Sequence, residues 1–188
     1  DAESSYNTCS RQGLVKVCKK EQKQQKAPAL YNLAEIQGTM GKKYGLKPDE
    51  TLEIAQKLYE SYKILSYPRT DSRYLSTDLY GEIADHVRSC RFGKFKKYID
   101  KIDFSSYQMD KSYFNNNKVS DHHALIPTIN DTTGEVYEKL NDMEKNFFDE
   151  IILSLVSIFY PPYQYESTEI QIEVSDKKFC ANGTIIKS

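Results

Sequence analysis

A tyrosine and an arginine two residues apart flank a proline in the stretch Tyr67-Pro68-Arg69-Thr70-Asp71-Ser72-Arg73-Tyr74-Leu75. Proline disfavours the helical region for the residue before it, so Tyr67 is expected to be extended. If Pro68 is extended too, the side chains at 67 and 69 point to the same side. A phenol beside a guanidinium suits phosphate chemistry. Arginine stays charged and offers a planar fork of donors that matches phosphate oxygens. A tyrosine hydroxyl, with a pKa near ~10, is a poor nucleophile until its anion is stabilised. A neighbouring guanidinium stabilises that anion and the charge that builds on a pentavalent phosphorus. Attack on a phosphodiester gives a phosphotyrosine ester close in energy to the bond broken, so a nucleic-acid strand can be opened and resealed without ATP. On spacing alone the pair also fits a packed tyrosine and a surface arginine held by Asp71.

Helices are expected on both sides of this stretch. Leu30, Leu33, Ile36, Gln37, Met40 and Tyr44 share one face of a first helix that begins after Pro28 and ends at Gly45. A second starts at Pro48, with Asp49 and Glu50 near the positive end of its dipole. Its apolar stripe is Leu52, Ala55, Leu58, Tyr59 and Tyr62. A third is expected from Ser76 as N-cap, with Leu75 and Tyr80 at staple positions and a stripe of Leu79, Ile83, Val87 and Cys90. A fourth begins near Asn141 with Glu144 at capping-box spacing, and carries Phe147, Phe148, Ile151, Ile152, Leu155 and Val156.

The two ends are different. Leu14, Val15, Val17 and Cys18 form a short strand. The Lys/Gln-rich residues 19–26 after it are a solvated strand extension, a linker or a phosphate contact. Past Pro161-Pro162, Ile170, Ile172 and Val174 alternate with Glu169, Gln171 and Glu173, the pattern of a half-buried strand. Asn182-Gly183 is a turn signal, so Phe179 to Ile186 reads as a hairpin or as two strand fragments. Strands at both ends with helices between them predict an α+β fold. The ends pair, and a helical lobe hangs from them by two connections, as a hinged lid would.

Composition bounds the rest. The chain has 188 residues, enough for one domain or two small ones. Fifteen Tyr and eight Phe supply a core without any Trp. The net charge of -1 advertises no global basic field for nucleic acid. No apolar run reaches the ~18 residues of a spanning helix, so no membrane partner is expected. Cys9, Cys18, Cys90 and Cys180 show no C-x-x-C spacing and read as free thiols in a reducing cytosol. The start at Asp1-Ala2-Glu3 reads as a cut edge within something longer.

The stretch 67–75 resembles the nucleophile segment of type IA DNA topoisomerases, closest to the topoisomerase III branch. Two blocks upstream share the resemblance: Pro28-Ala29-Leu30-Tyr31-Asn32-Leu33 and Thr51-Leu52-Glu53-Ile54-Ala55-Gln56-Lys57-Leu58-Tyr59-Glu60. Downstream, Ser120-Asp121-His122-His123-Ala124-Leu125-Ile126-Pro127-Thr128 is similar to the family's His-containing block. The likeness covers about residues 12–175. It implies a helical nucleophile-bearing domain inserted into a β-rich arch domain. The pieces are 1–27 (arch, N-terminal piece), 28–140 (helical nucleophile domain) and 141–188 (arch, C-terminal piece). It implies Tyr67 as nucleophile toward single-stranded DNA through a 5′-phosphotyrosine link, Arg69 on the scissile phosphate and His122 in phosphate or proton-network contacts. His123 is then a structural neighbour, and Thr70, Asp71, Ser72 and Arg73 are carried over as DNA contacts. The resemblance also implies Mg²⁺, held by a Toprim domain that this sequence does not display, so the piece alone is expected to be inactive. DNA, the remaining domains of the parent chain and a cytoplasmic, nucleoid-associated location follow from the same likeness.

Residues 86–101 add Arg88, Arg91, Lys94, Lys96, Lys97 and Lys101 around Phe92, Phe95 and Tyr98, against Asp100 alone. Cations interleaved with rings are how single strands are held without sequence preference, and an ordinary solvated loop over a few buried rings has the same composition. A reading from a different class is a non-catalytic single-strand-binding or protein-docking module.

Overall fold

The computed structural model describes residues 13–174 and 177–187. Cys9 and the first twelve residues of the expected arch piece lie outside the described residues. The chain forms two compact units: residues 1–26 with 162–188, and residues 27–161.

The first unit is a three-stranded antiparallel sheet in the order β1-β2-β3: β1 (Leu14–Gln25), β2 (Tyr163–Val174) and β3 (Lys177–Ile186). The two ends of the sequence therefore pair, as the alternation predicts. The Lys/Gln stretch is a strand extension: Lys19 to Gln25 continue β1 against Glu169 to Tyr163. Its cations meet carboxylates of the same sheet, with Lys19 and Lys23 on Glu21 and Lys20 on Glu166. Two expectations need correction. Asn182-Gly183 makes no turn but sits mid-strand opposite Glu169 and Thr168, because β3 takes the full register of β2. β2 is not half-buried by alternation either. Every described residue of it is partly or fully exposed on both faces, since no described residue of this unit is buried.

The second unit holds the core, and every buried apolar residue among those described lies between Leu30 and Ile158. Its main helices are α1 (Leu33–Tyr44) and α2 (Pro48–Glu60). The short α3 (Ile83–Arg88), α4 (Lys96–Ile99) and α5 (Thr133–Lys139) follow, and α6 (Asp142–Ser157) ends the unit. α1 starts later than its apolar stripe suggests. The carbonyls of Ala29 and Leu30 accept from the Arg73 guanidinium, and that of Tyr31 accepts from Leu125 N–H, so none is free for a first helical turn. Asn32 then caps the helix through Glu35 N–H at 2.9 Å, and Gly45 ends it at φ 73 in the left-handed region.

The third expected helix is broken. A 3-10 turn over Thr77–Gly81, capped by Ser76, gives way at Glu82 to α3. Glu82 N–H donates to Leu79 O, three residues back, next to the poor helix former Gly81. Ile83, Val87 and Cys90 are nonetheless buried as the stripe requires.

α6 opens on the expected capping box between Asn141 and Glu144. Phe147, Phe148, Ile151 and Ile152 are fully buried in the core it shares with the other helices. The expected domain boundary at residue 141 is thus displaced to Pro161/Pro162. A helix this apolar needs a core on its face, and the core lies in the helical unit. Glu144, 2% exposed, also receives Lys57 of α2 at 2.5 Å. Glu150 gathers Lys43 and the hydroxyls of Tyr31 and Tyr44, which ties α1 to α6.

Candidate active site

The segment after α2 leaves the helix through Lys63, whose φ of 58 is the one positive value among described residues other than glycine. Its carbonyl accepts from Thr128 Oγ1 at 2.7 Å. From there residues 64–66 run antiparallel to 126–128. Thr128 N–H donates to Ile64 O, Ser66 N–H to Ile126 O, and Leu65 bridges Pro127. Further along, Thr70 Oγ1 donates to His122 O at 3.0 Å and Ala124 N–H to Tyr74 O at 2.9 Å. The nucleophile-like stretch and the His-containing block are therefore stitched side by side. On the other flank, Leu33 N–H donates to Thr70 O, and Asn32 Nδ2 to Asp71 O at 2.8 Å.

Within this frame Tyr67 is half-buried. Its ring lies 4.2 Å from that of His122, centroid to centroid, at a tilt of 38°. It meets Tyr59 of α2 at 5.5 Å with the planes at 86°. The Tyr67 hydroxyl makes no hydrogen bond to a described residue, and it is not among the buried polar atoms left without a partner, so it reaches solvent. Arg69 is exposed and makes no ion pair with a described residue. The alternative of a surface arginine held by Asp71 is not realised: Asp71 Oδ1 accepts from Ser120 Oγ at 2.8 Å. An open cleft of about 360 Å³ lies between Arg69 to Asp71 and the first turn of α1. A phenol in contact with an imidazole and, two residues on, an exposed guanidinium without an ion-pair partner among the described residues are the groups that phosphate chemistry uses.

The other residues carried over from the resemblance divide. Thr70 and Ser72 are each 5% exposed. Ser72 N–H donates to Thr70 Oγ1, and Ser72 Oγ donates to Lys118 O at 2.8 Å. Arg73 donates to Leu30 O, Ala29 O and Glu35. These three residues build the loop, and their polar groups bond inside the fold. Asp71 stays exposed.

In the basic stretch most cations have carboxylate partners. Arg88 pairs with Asp85, Arg91 and Lys96 with Asp100, and Lys94 with Asp149 of α6. Phe95 is 1% exposed and packs with the partly buried Phe92 against Tyr137, so the Phe95 ring is not free to stack on a base. Lys97 lies 4.7 Å from the ring centroid of Tyr98, and with Lys101 it keeps its charge clear of any described carboxylate. Composition alone hides such pairing, because Asp85 and Asp149 stand outside the basic window.

His123 is half-buried, and its Nδ1 lies 2.7 Å from Ala124 O. A carbonyl only accepts, so Nδ1 carries the proton. Burial first, with the neighbouring His86 and His122 rings, holds its pKa below the ordinary value, while the bond to Ala124 opposes them. His86 likewise places Nδ1 2.7 Å from Pro127 O. Sequence reasoning missed one neighbour of the site. It placed Tyr59 in the apolar stripe of its helix, and no local spacing signals a ring that meets another across the end of that helix.

Among the described residues no group of three or more His, Cys, Asp or Glu could hold a metal ion. The described residues therefore offer no Mg²⁺ site.

The sequence matches the DNA topoisomerase family over residues 1–188. The chain belongs to that family. It is 37% identical over 168 residues to DNA topoisomerase 3 of Bacillus cereus, covering 89% of this chain and 22% of that protein. It is 36% identical over 182 residues to DNA topoisomerase 3 of Bacillus subtilis, covering 97% of this chain and 25% of that one. Its fold resembles full-length topoisomerase I from Thermotoga maritima, with a TM-score of 0.63 and 25% identity, over 100% of this chain and 30% of that one. The resemblance to type IA topoisomerases of the topoisomerase III branch is thus borne out. The topoisomerase chain spans about a quarter or less of the curated relatives' length. No described helix is long and apolar enough to cross a membrane.

Proposed function

We propose that this chain is the nucleophile-bearing part of a longer type IA topoisomerase, and that Tyr67 opens and reseals one DNA strand. The phenolic oxygen attacks a backbone phosphorus. A Tyr67 O–P bond forms, the P–O3′ bond breaks, and the 3′ oxygen leaves as a hydroxyl after taking up a proton. The 5′ end stays on the protein as a phosphotyrosine. Resealing is the same exchange in reverse, so the bond energy is conserved and no ATP is needed. Arg69 holds the non-bridging oxygens and offsets the charge that builds in the transition state. His122, lying along the phenol ring, donates to the phosphate or passes the proton. The cytoplasmic nucleoid is the compartment where such a protein would act. The Mg²⁺ of the family would be supplied by another part of the parent chain, and this part alone would not relax DNA.

The observation that supports this reading is the solvent-reaching, unbonded hydroxyl of Tyr67 beside His122, with the unpaired Arg69 two residues on. The test is Tyr67→Phe in the full-length parent. Denaturant-trapped reactions on single-stranded DNA should yield no protein-linked 5′ end, and a persisting adduct would refute the assignment.

A further inference from the structure

Two rings meet Tyr67, and they are supported differently. His122 is exposed and sits in an irregular segment. Tyr59 sits at the end of α2, a helix of 13 residues whose Ala55 and Leu58 are 0% exposed. That helix is also tied to α6 through Lys57 and Glu144. The Tyr59 ring is carried on the last turn of that helix, whose backbone is anchored by these buried neighbours. Its plane crosses that of Tyr67 at 86° and 5.5 Å, the perpendicular geometry that opposed quadrupoles favour. The Nζ of Lys63 lies 5.8 Å from the Tyr59 ring centroid, at the left-handed residue that opens the nucleophile segment. The Tyr59 hydroxyl has no hydrogen-bond partner among the described residues, so its ring makes the contact.

We propose that Tyr59 is a positioning residue for the nucleophile: it fixes the orientation of the Tyr67 ring, so that the phenolic oxygen meets the phosphorus in line. The inference rests on the reading of Tyr67 as nucleophile. A tyrosine turns about two soft side-chain torsions. Its backbone is pinned by the pairing of residues 64–66 with 126–128, but that pairing leaves the ring free to turn. The perpendicular ring of Tyr59 and the tilted imidazole of His122, both in contact with the Tyr67 ring, restrict that freedom. Misplacing a reacting atom by about 1 Å is enough to cost roughly 10²-fold in rate. The same clamp serves the return reaction, because the phosphotyrosine must wait in the orientation from which the 3′ hydroxyl attacks it.

The test uses the full-length parent, with single-turnover cleavage of a single-stranded oligonucleotide, oligonucleotide affinity measured on a Tyr67→Phe background, and thermal unfolding. Tyr59→Phe keeps the ring and should cleave within about twofold of wild type. Tyr59→Leu keeps apolar bulk without the ring and should slow cleavage by about 10-fold, and Tyr59→Ala by roughly 10- to 100-fold. Oligonucleotide affinity should stay within about threefold in all of them. If Tyr59→Ala fails to fold, Tyr59→Leu carries the test. Wild-type rates in Tyr59→Leu, or a rate loss matched by an equal loss of affinity, would overturn the proposal. The nucleophile reading fails separately: an adduct that survives Tyr67→Phe removes it, whereas loss of that adduct with undiminished cleavage by the Tyr59 variants removes the positioning role alone.

Discussion

The carbonyl of His122 accepts the hydroxyl proton of Thr70 at 3.0 Å, and this bond joins two segments far apart in sequence. Thr70 is 5% exposed, while the imidazole of His122 stands in the open against the ring of Tyr67. A buried threonine thus sets the place of an exposed histidine, and the threonine's own part in the site is indirect.

Thr70→Val keeps the shape and removes that hydroxyl. It also strips the acceptor from Ser72 N–H, in a position that stays buried. The expected cost is about 1–3 kcal/mol, the desolvation penalty of unpaired groups. Urea unfolding should show it, with slower strand cleavage in the full-length parent. A change below about 0.5 kcal/mol would mean that the loop holds without this bond.

Arg69 behaves oppositely. It makes no ion pair with a described residue, so Arg69→Ala should leave the unfolding midpoint unchanged, as for other exposed sites, within about 0.5 kcal/mol. Adduct formation should fall by roughly 10²–10³-fold, the scale of losing one donor aimed at developing charge. Arg69→Lys should recover only part of the rate, because an ammonium lacks the planar fork. A full recovery with lysine would show that charge alone suffices.

Arg73 should report on stability instead of binding. Its guanidinium is shared among Leu30 O, Ala29 O and Glu35. Arg73→Ala exposes two carbonyls and loosens the approach to α1, at an expected cost of about 1–3 kcal/mol. The salt dependence of oligonucleotide binding should keep its slope, whereas removal of a cation that touched a phosphate would lower that slope by about 1. A reduced slope with normal stability would make Arg73 a DNA contact.

His123 predicts a pH dependence. Burial holds its folded pKa below the ordinary 6.5. Between the folded value and 6.5 the unfolded chain binds the extra proton, so stability rises with pH there. The contribution is complete above about pH 7 and is lost as pH falls through 6.5 toward the folded value. His123→Gln should flatten the slope of the melting temperature between pH 7 and 5.5. An unchanged slope would assign the effect to other groups.

Thiol labelling checks the core. Cys18 and Cys180 are exposed, whereas Cys90 is buried, and burial pushes its thiol up to about 12. Iodoacetamide at pH 8 should modify Cys18 and Cys180 in the folded chain and reach Cys90 only in denaturant, as read by peptide mass spectrometry. Early labelling of Cys90 would contradict the packing of α3.

Much of this was legible in the residues. Strand-forming patterns at both ends of the chain point to the pairing of β1 with β2. Gly45, Pro48 and the Asn141–Glu144 box mark helix ends because capping acts within a few residues of itself. Tyr67, Arg69 and His122 could be singled out as chemistry, and the structure brings Tyr67 and His122 into contact.

Tertiary structure decided what depends on distant partners. Only the fold shows that Lys94 is neutralised by Asp149, that Arg73 is absorbed by the carbonyls before α1, and that Asn182-Gly183 runs straight in register with β2. Periodicity and caps are properties of neighbours in the chain. Charge pairing, strand register and the contact of Tyr59 with Tyr67 are properties of neighbours in space, and close approach in space has no fixed spacing in sequence.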